Sequence, residues 1–154
     1  MKIGVISDTH GYLDPKIEKI FSGVDHILHA GDIGFASLII ELGFIAPVTA
    51  VHGNTDSDST YRETEIVELS GRKFMIHHIV NPHAPSEKVE ERLERDRPGV
   101  VVFGHTHKPF HETVNGVFFF NPGYAGKPKF GAARSVALLH CDKKAIRHEF
   151  IELQ

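Results

Sequence analysis

Five short segments carry residue types that together could hold divalent metal: Asp8-Thr9-His10, Gly31-Asp32, Gly53-Asn54, His77-His78 and Gly104-His105-Thr106-His107. Carboxylate and amide oxygens mixed with imidazole nitrogens suit borderline ions such as Mn, Fe, Co, Ni or Zn. An all-oxygen set would favour Mg or Ca. Each fragment alone is commonplace, since Gly-Asp is an ordinary turn dipeptide. Their shared placement gives them weight: four follow directly on an apolar run and the histidine pair closes another. Residues i and i+2 of an extended chain point the same way, so Asp8 with His10, and His105 with His107, are each expected to face one cavity. Gly31, Gly53 and Gly104 would let the backbone come close to an ion or a phosphate.

The elements that must position these residues are legible in the pattern. Lys2-Ile6, Asp25-His29 and Pro47-Val51 read as strands, each handing over to a polar loop. Asp14-Pro15 opens a helix through Ile17, Ile20 and Phe21 to Gly23, and Phe35 to Leu42 supplies a second. Three strand-loop-helix beginnings imply a parallel βαβ layout, whose functional groups gather at the carboxyl edge. Beyond them, Tyr61-Leu69 and Arg72-His78 read as an antiparallel hairpin, and Ser86-Asp96 as a charged surface helix. Val100-Phe103 is a buried strand. A hairpin closed by Asn115-Gly116 follows, then strands Ser135-His140 and Ile146-Leu153. The expectation is one α/β domain over residues 1-154, parallel in its first half and more antiparallel in its second.

Composition bounds the chemistry. The net charge of -3 gives no general attraction to nucleic acid or anionic membrane, so any phosphate must meet local cations, which could be metal ions. The single cysteine, Cys141, excludes an intrachain disulfide and a cysteine-based zinc site. No apolar run approaches the roughly 20 residues of a membrane helix, and the first apolar run is too short for a signal-peptide core. The expected compartment is the cytoplasm. The twelve histidines are unusual beside the absence of tryptophan.

Taken in order, D-x-H, G-D, G-N, H and G-H-x-H resemble the calcineurin-like metallophosphoesterases. With Asn121-Pro122-Gly123 after the last motif, the chain looks most like their small bacterial and archaeal phosphodiesterases. The resemblance spans residues 3 to about 139 and implies two facing mixed β-sheets flanked by helices, a four-layer sandwich. It also implies two divalent ions, Mn foremost, with Ni, Co, Fe, Zn or Mg as alternatives. Asp8, His10 and His107 would hold the first ion, Asn54, His78 and His105 the second, and Asp32 would bridge them. Asp32, Asn54 and His105 would serve the in-line attack of a metal-bridging hydroxide on a small phosphodiester.

Three positions depart from the resemblance. Thr55 stands where relatives that cleave efficiently often carry a histidine able to protonate the leaving oxygen. His77-His78-Ile79 replaces His-Gly-His; counted from Gly71, His78 aligns with the metal ligand, and strand alternation allows only one of His77 and His78 to face the ions. The lost second histidine leaves a gap on the substrate side, for which His83 is a candidate. Tyr12 stands where relatives often have asparagine, and is loop packing or a platform for a substrate ring.

Other residues have blander readings. His29 is second to the ligands or core, His52 is structural, and Phe118-Phe119-Phe120 is core. Arg134 and Lys127 could meet a substrate phosphate, although loop cations are usually solvated. The expected partner is a small phosphate ester. There is no room for a duplex-binding domain, membrane binding is not expected, and a homodimer stays open. The competing function is a metal-binding protein-interaction scaffold on the same fold with little turnover.

Overall fold

The computed structural model describes residues 1–57 and 60–154. Its strands form two five-stranded sheets. The first contains β1 (Lys2–Ile6), β2 (His26–His29), β3 (Val48–Ala50), β9 (Ser135–Cys141) and β10 (Ile146–Glu152), in the order β10-β9-β1-β2-β3. The second contains β4 (Thr64–Leu69), β5 (Arg72–His77), β6 (Val100–Val102), β7 (Phe110–Val114) and β8 (Val117–Asn121), in the order β4-β5-β6-β8-β7. The helices are α1 (Ile17–Ile20), α2 (Ala36–Gly43) and α3 (Glu87–Asp96).

Strand alternation assigns side chains to layers. Ile3 and Val5 of β1, Val100 and Val102 of β6, and Ala137 and Leu139 of β9 meet in the cluster between the two sheets. The opposite faces of the same strands serve the outer layers. Ile6, Val136 and Leu138 pack with Ile17, Phe21, Leu38 and Leu42 from the α1 and α2 side. Val101 packs with Met75, Phe119 and α3's Val89. Burial on both faces explains why β1 and β6 read as unbroken apolar runs. The two facing mixed sheets expected from sequence are therefore present.

Local chemistry sets the boundaries. Ser86 caps α3 by accepting a hydrogen bond from the Val89 amide at 3.3 Å. The helix ends with Arg97 in the left-handed region, φ 47°. Asn115 and Gly116, φ 50° and 80°, make the tight β7–β8 turn.

One expectation needs correction. The first helix is a single turn, because Asp14 and Pro15 form the turn before it: Asp14 accepts from the amides of Lys16 and Ile17. The second half is more antiparallel than the first, as expected, and it also contains parallel pairs. The α3 crossover sets β6 parallel to β5, and β8 lies parallel to β6. Strands β9 and β10 return to the first sheet, with β9 antiparallel to β1. Consequently β1, β2 and β3 of one sheet and β5 and β6 of the other all end at the same edge of the molecule.

Candidate metal centre

Four of the candidate segments lie just beyond strand ends, and the histidine pair straddles the end of β5. Asp8 and His10 follow β1, Asp32 follows β2, Asn54 follows β3, His78 follows β5, and His105 and His107 follow β6. The loops after β1 and β2 run side by side, the amides of Asp8, His10 and Gly11 donating to the carbonyls of Gly31, Asp32 and Ile33. This ladder brings the two carboxylates together.

Strand alternation does not set the direction of the Asp8–His10 and His105–His107 pairs. Asp8, His10, Asp32, His105 and His107 all have positive φ, between 46° and 71°. They are therefore not extended. The left-handed region is unfavourable for residues with a Cβ, and clustering of such residues is a mark of functional sites.

The site is a bowl with carboxylates on its floor. Asp8 and Asp32 are buried together with His78, whereas His10 and His107 are about one-third exposed and Asn54 and His105 sit at the rim. Each carboxylate commits one oxygen to the protein. Asp8 Oδ2 accepts from Ser7 Oγ at 2.8 Å and the His105 amide at 3.1 Å. Asp32 Oδ1 accepts from the Thr55 amide at 2.9 Å. The remaining oxygens face the imidazoles. Asp8 Oδ1 lies 3.3 Å from His107 Nε2, 3.8 Å from His78 Nε2 and 3.9 Å from His10 Nε2. Asp32 Oδ2 lies 3.2 Å from His78 Nε2 and 3.8 Å from His10 Nε2.

Two of these atoms, Asp8 Oδ1 and His78 Nε2, are buried with no hydrogen-bond partner. Orphaned buried polar atoms are costly and rare. A cation between them would satisfy both, and the geometry groups Asp8, His10 and His107, and again Asp8, Asp32 and His78, closely enough to hold one. His78 is also in the correct tautomer. Its Nδ1–H donates to the Ala30 carbonyl at 2.7 Å, leaving the Nε2 lone pair directed at the carboxylates. The neighbouring His77 points elsewhere, its Nδ1 2.8 Å from Thr64 Oγ1. Asn54 Oδ1 lies 3.1 Å from His105 Nδ1, and the His105 ring packs edge-on to His78 at 5.4 Å between centroids. The donor set therefore fits divalent metal.

Close approach requires two glycines in particular. A Cβ on Gly53 would fall 2.1 Å from Asp32 Oδ1, and one on Gly104 2.1 Å from Ser7 Oγ and 2.7 Å from Asp8 Oδ2.

Supporting residues complete the bowl. His29 is fully buried, and burial holds its pKa down to about 3. Its Nδ1 accepts from the Gly31 amide, so Nε2 carries the proton toward Thr9 Oγ1, and Thr9 donates onward to Ile33. Asn121 donates to the Gly104 carbonyl and Thr106 Oγ1 and accepts from the Gly123 amide, bracing the loop that bears His105 and His107. Asp56 escaped the sequence reading. Its carboxylate accepts from the amides of Ile33, Gly34 and Gly53, tying together the loops that bear Asp32 and Asn54. Burial pushes its pKa up, but these three hydrogen bonds outweigh that and leave it below the ordinary value.

Several substrate-side candidates fall elsewhere. His83 pairs with Glu112 at 2.7 Å and lines a groove beside α3 whose walls include none of the metal-site donors. Arg134 is buried against Asp14, Nη2 to Oδ2 at 2.8 Å, and so is not free to meet a phosphate. Tyr12 is loop packing, with the Arg134 guanidinium 5.8 Å from its ring centre. No motif singles out Tyr124, yet its ring stacks on His107 at 4.8 Å between centroids.

Among the described residues, no helix is long and apolar enough to cross a membrane. Residues 1–144 match the family model of the calcineurin-like phosphoesterase superfamily domain. The chain is 35% identical to a probable metallophosphoesterase of Methanocaldococcus jannaschii, covering 84% of this chain and 70% of the relative. It is 32% identical to a phosphodiesterase of the same archaeon, covering 99% and 100%. Among solved structures, the zinc-complexed Vps29 of Entamoeba histolytica shares the fold at TM-score 0.75 and 22% identity, covering 99% of both chains. The chain belongs to the calcineurin-like phosphoesterase superfamily and is a hydrolase of its metallophosphoesterase kind.

Proposed function

We propose that the protein is a binuclear metal-dependent phosphodiesterase acting on small phosphodiesters. The observation that carries this reading is the pair of buried, unpartnered atoms Asp8 Oδ1 and His78 Nε2, with Asp32 Oδ2 beside them. Asp8, His10 and His107 would hold one ion, Asn54, His78 and His105 the other, and Asp32 would reach both, with Mn the first choice of metal. When bound, two such ions would activate water and neutralise charge on the phosphoryl oxygens.

The protein's own groups do the positioning. Ser7 and the His105 amide fix one Asp8 oxygen, and Thr55 fixes one Asp32 oxygen, so both carboxylates present their second oxygen inward. The Ala30 carbonyl holds the His78 proton on Nδ1. Thr55 is too weak an acid near pH 7 to protonate a leaving alkoxide, which favours esters with good leaving groups. The partner is a small phosphate ester rather than duplex nucleic acid, and the lone buried Cys141 fits a reducing cytoplasm.

The test is turnover of a panel of phosphomonoesters, phosphodiesters and 2′,3′-cyclic nucleotides with each metal added to stripped protein. Hydrolysis of diesters with two ions bound is expected. Bound ions with no turnover of any ester would favour a scaffold on the same fold.

A further inference from the structure

Beside the His10 and His107 side of the bowl, the loop from Tyr124 to Arg134 is anchored unusually well. The Ala125 amide donates to the Ser7 carbonyl and the Ser135 amide to the Tyr124 carbonyl. The buried Tyr124 hydroxyl donates to the Lys127 carbonyl at 2.9 Å, folding the loop back across Gly126. Arg134 Nε donates to the Gly126 carbonyl at 2.7 Å while its Nη2 is held by Asp14. An Ala132 amide bond to the Lys129 carbonyl closes the outer turn.

What this scaffold presents is Lys129. Its Nζ sits 4.5 Å from the centre of the Tyr124 ring, and that ring stacks on the candidate ligand His107. The Tyr124 ring thus contacts both a candidate metal ligand and the Lys129 ammonium. Among the described residues no carboxylate pairs with Lys129, so its charge is not neutralised locally. A loop cation with no structural ion pair, fixed by cation–π contact beside a metal bowl, is placed for an anionic ligand.

We propose that Lys129 is a substrate-binding residue that holds a phosphoryl oxygen at the His10 and His107 side of the centre. This rests on the phosphoesterase reading above, and it assigns to Lys129 the phosphate contact that the buried Arg134 cannot make. Tyr124 is the corresponding positioning residue. Affinity for the phosphoryl group, rather than the metal load, therefore depends on Lys129.

The experiment titrates inorganic phosphate into Mn-loaded wild type, Lys129→Met, Lys129→Arg and Lys144→Met by calorimetry, with metal content measured on each sample. Lys144 lies in the β9–β10 turn, at the opposite end of the first sheet, and controls for net charge. Lys129→Met is expected to weaken phosphate binding about tenfold or more, the scale of one charge-assisted hydrogen bond. Metal content should stay unchanged, Lys129→Arg should restore most of the affinity, and Lys144→Met should match wild type. Equal phosphate affinity in wild type and Lys129→Met overturns the proposal, as does equal weakening by Lys144→Met or no phosphate binding by wild type. Diester hydrolysis by wild type is scored separately. Its absence would overturn the phosphodiesterase reading while the phosphate titration still decides Lys129.

Discussion

His78 Nε2 lies 3.2 Å from Asp32 Oδ2, while His77, one residue earlier, turns its Nδ1 to Thr64. The end of β5 separates the two: His77 is the last paired residue, opposite Thr64, and His78 is the first residue free to enter the bowl. His78→Ala should therefore lose about one metal equivalent, and His77→Ala should retain two, by elemental analysis of protein reloaded with Mn. The reverse result would exchange their roles.

Gly53 should resist even one methyl group. The Cβ of Gly53→Ala would overlap Asp32 Oδ1 and also stand 2.4 Å from the Asp32 amide nitrogen, a backbone atom that cannot swing aside. We expect destabilisation of about 1–3 kcal/mol in urea, together with reduced metal content. Gly43→Ala is the matched control, since nothing lies within 4 Å of its Cβ and it closes α2. It should be neutral or slightly stabilising.

The Asp14–Arg134 pair is buried, and each partner has further bonds: Asp14 to the Lys16 amide and Arg134 to the Gly126 carbonyl. Removing one charge strands the other. Asp14→Ala should cost about 3–5 kcal/mol, whereas replacing both by apolar residues should cost less, as a double-mutant cycle in urea would show. Additive single costs would contradict the buried coupling.

Acid should weaken the fold through His29. Its folded pKa of about 3 lies below the ordinary 6.5. Above about pH 6.5 neither state is protonated there, and as pH falls the unfolded chain takes up the proton first. Stability is therefore lost between about pH 6.5 and 3, at up to about 1.4 kcal/mol per unit. His77 acts in the same direction, because burial depresses it too. Asp14 and Asp56 are depressed carboxylates, whose contribution is present above their ordinary value of 3.8 and lost as pH falls through their lower folded values. Urea midpoints of metal-free protein should fall from pH 6.5 to 5, and His29→Gln should flatten that slope. A flat wild-type profile would show that His29 is protonated in the folded state.

Much of this site could be read from residue order because its donors sit where apolar runs end, and strand ends are legible. Asp8, Asp32 and Asn54 were located by that rule. What sequence could not supply is how loops touch. Nothing local marks Asp56 as the clasp between two loops, since its three partners are backbone amides, one three residues before it and two from the preceding loop. Tyr124 stacks on His107 and Lys129 lies over the Tyr124 ring, contacts between side chains that no periodicity encodes. His83 and Arg134 looked available on charge alone, and each is engaged by a distant acid, Glu112 and Asp14. In the fold, the pairing of β6 with both β5 and β8 was hidden because a buried three-residue strand carries no sign of its neighbours' direction.

Asp32, with Oδ1 held by Thr55 and Oδ2 facing His10 and His78, is the residue that would serve both ions of the proposed centre. The direct measurement is Mn content and hydrolysis of bis(p-nitrophenyl) phosphate by Asp32→Asn beside wild type, with folding checked by circular dichroism. We predict fewer than two Mn per chain and activity lower by about two or more orders of magnitude. A folded Asp32→Asn protein that retains both ions and near-wild-type turnover would contradict the account.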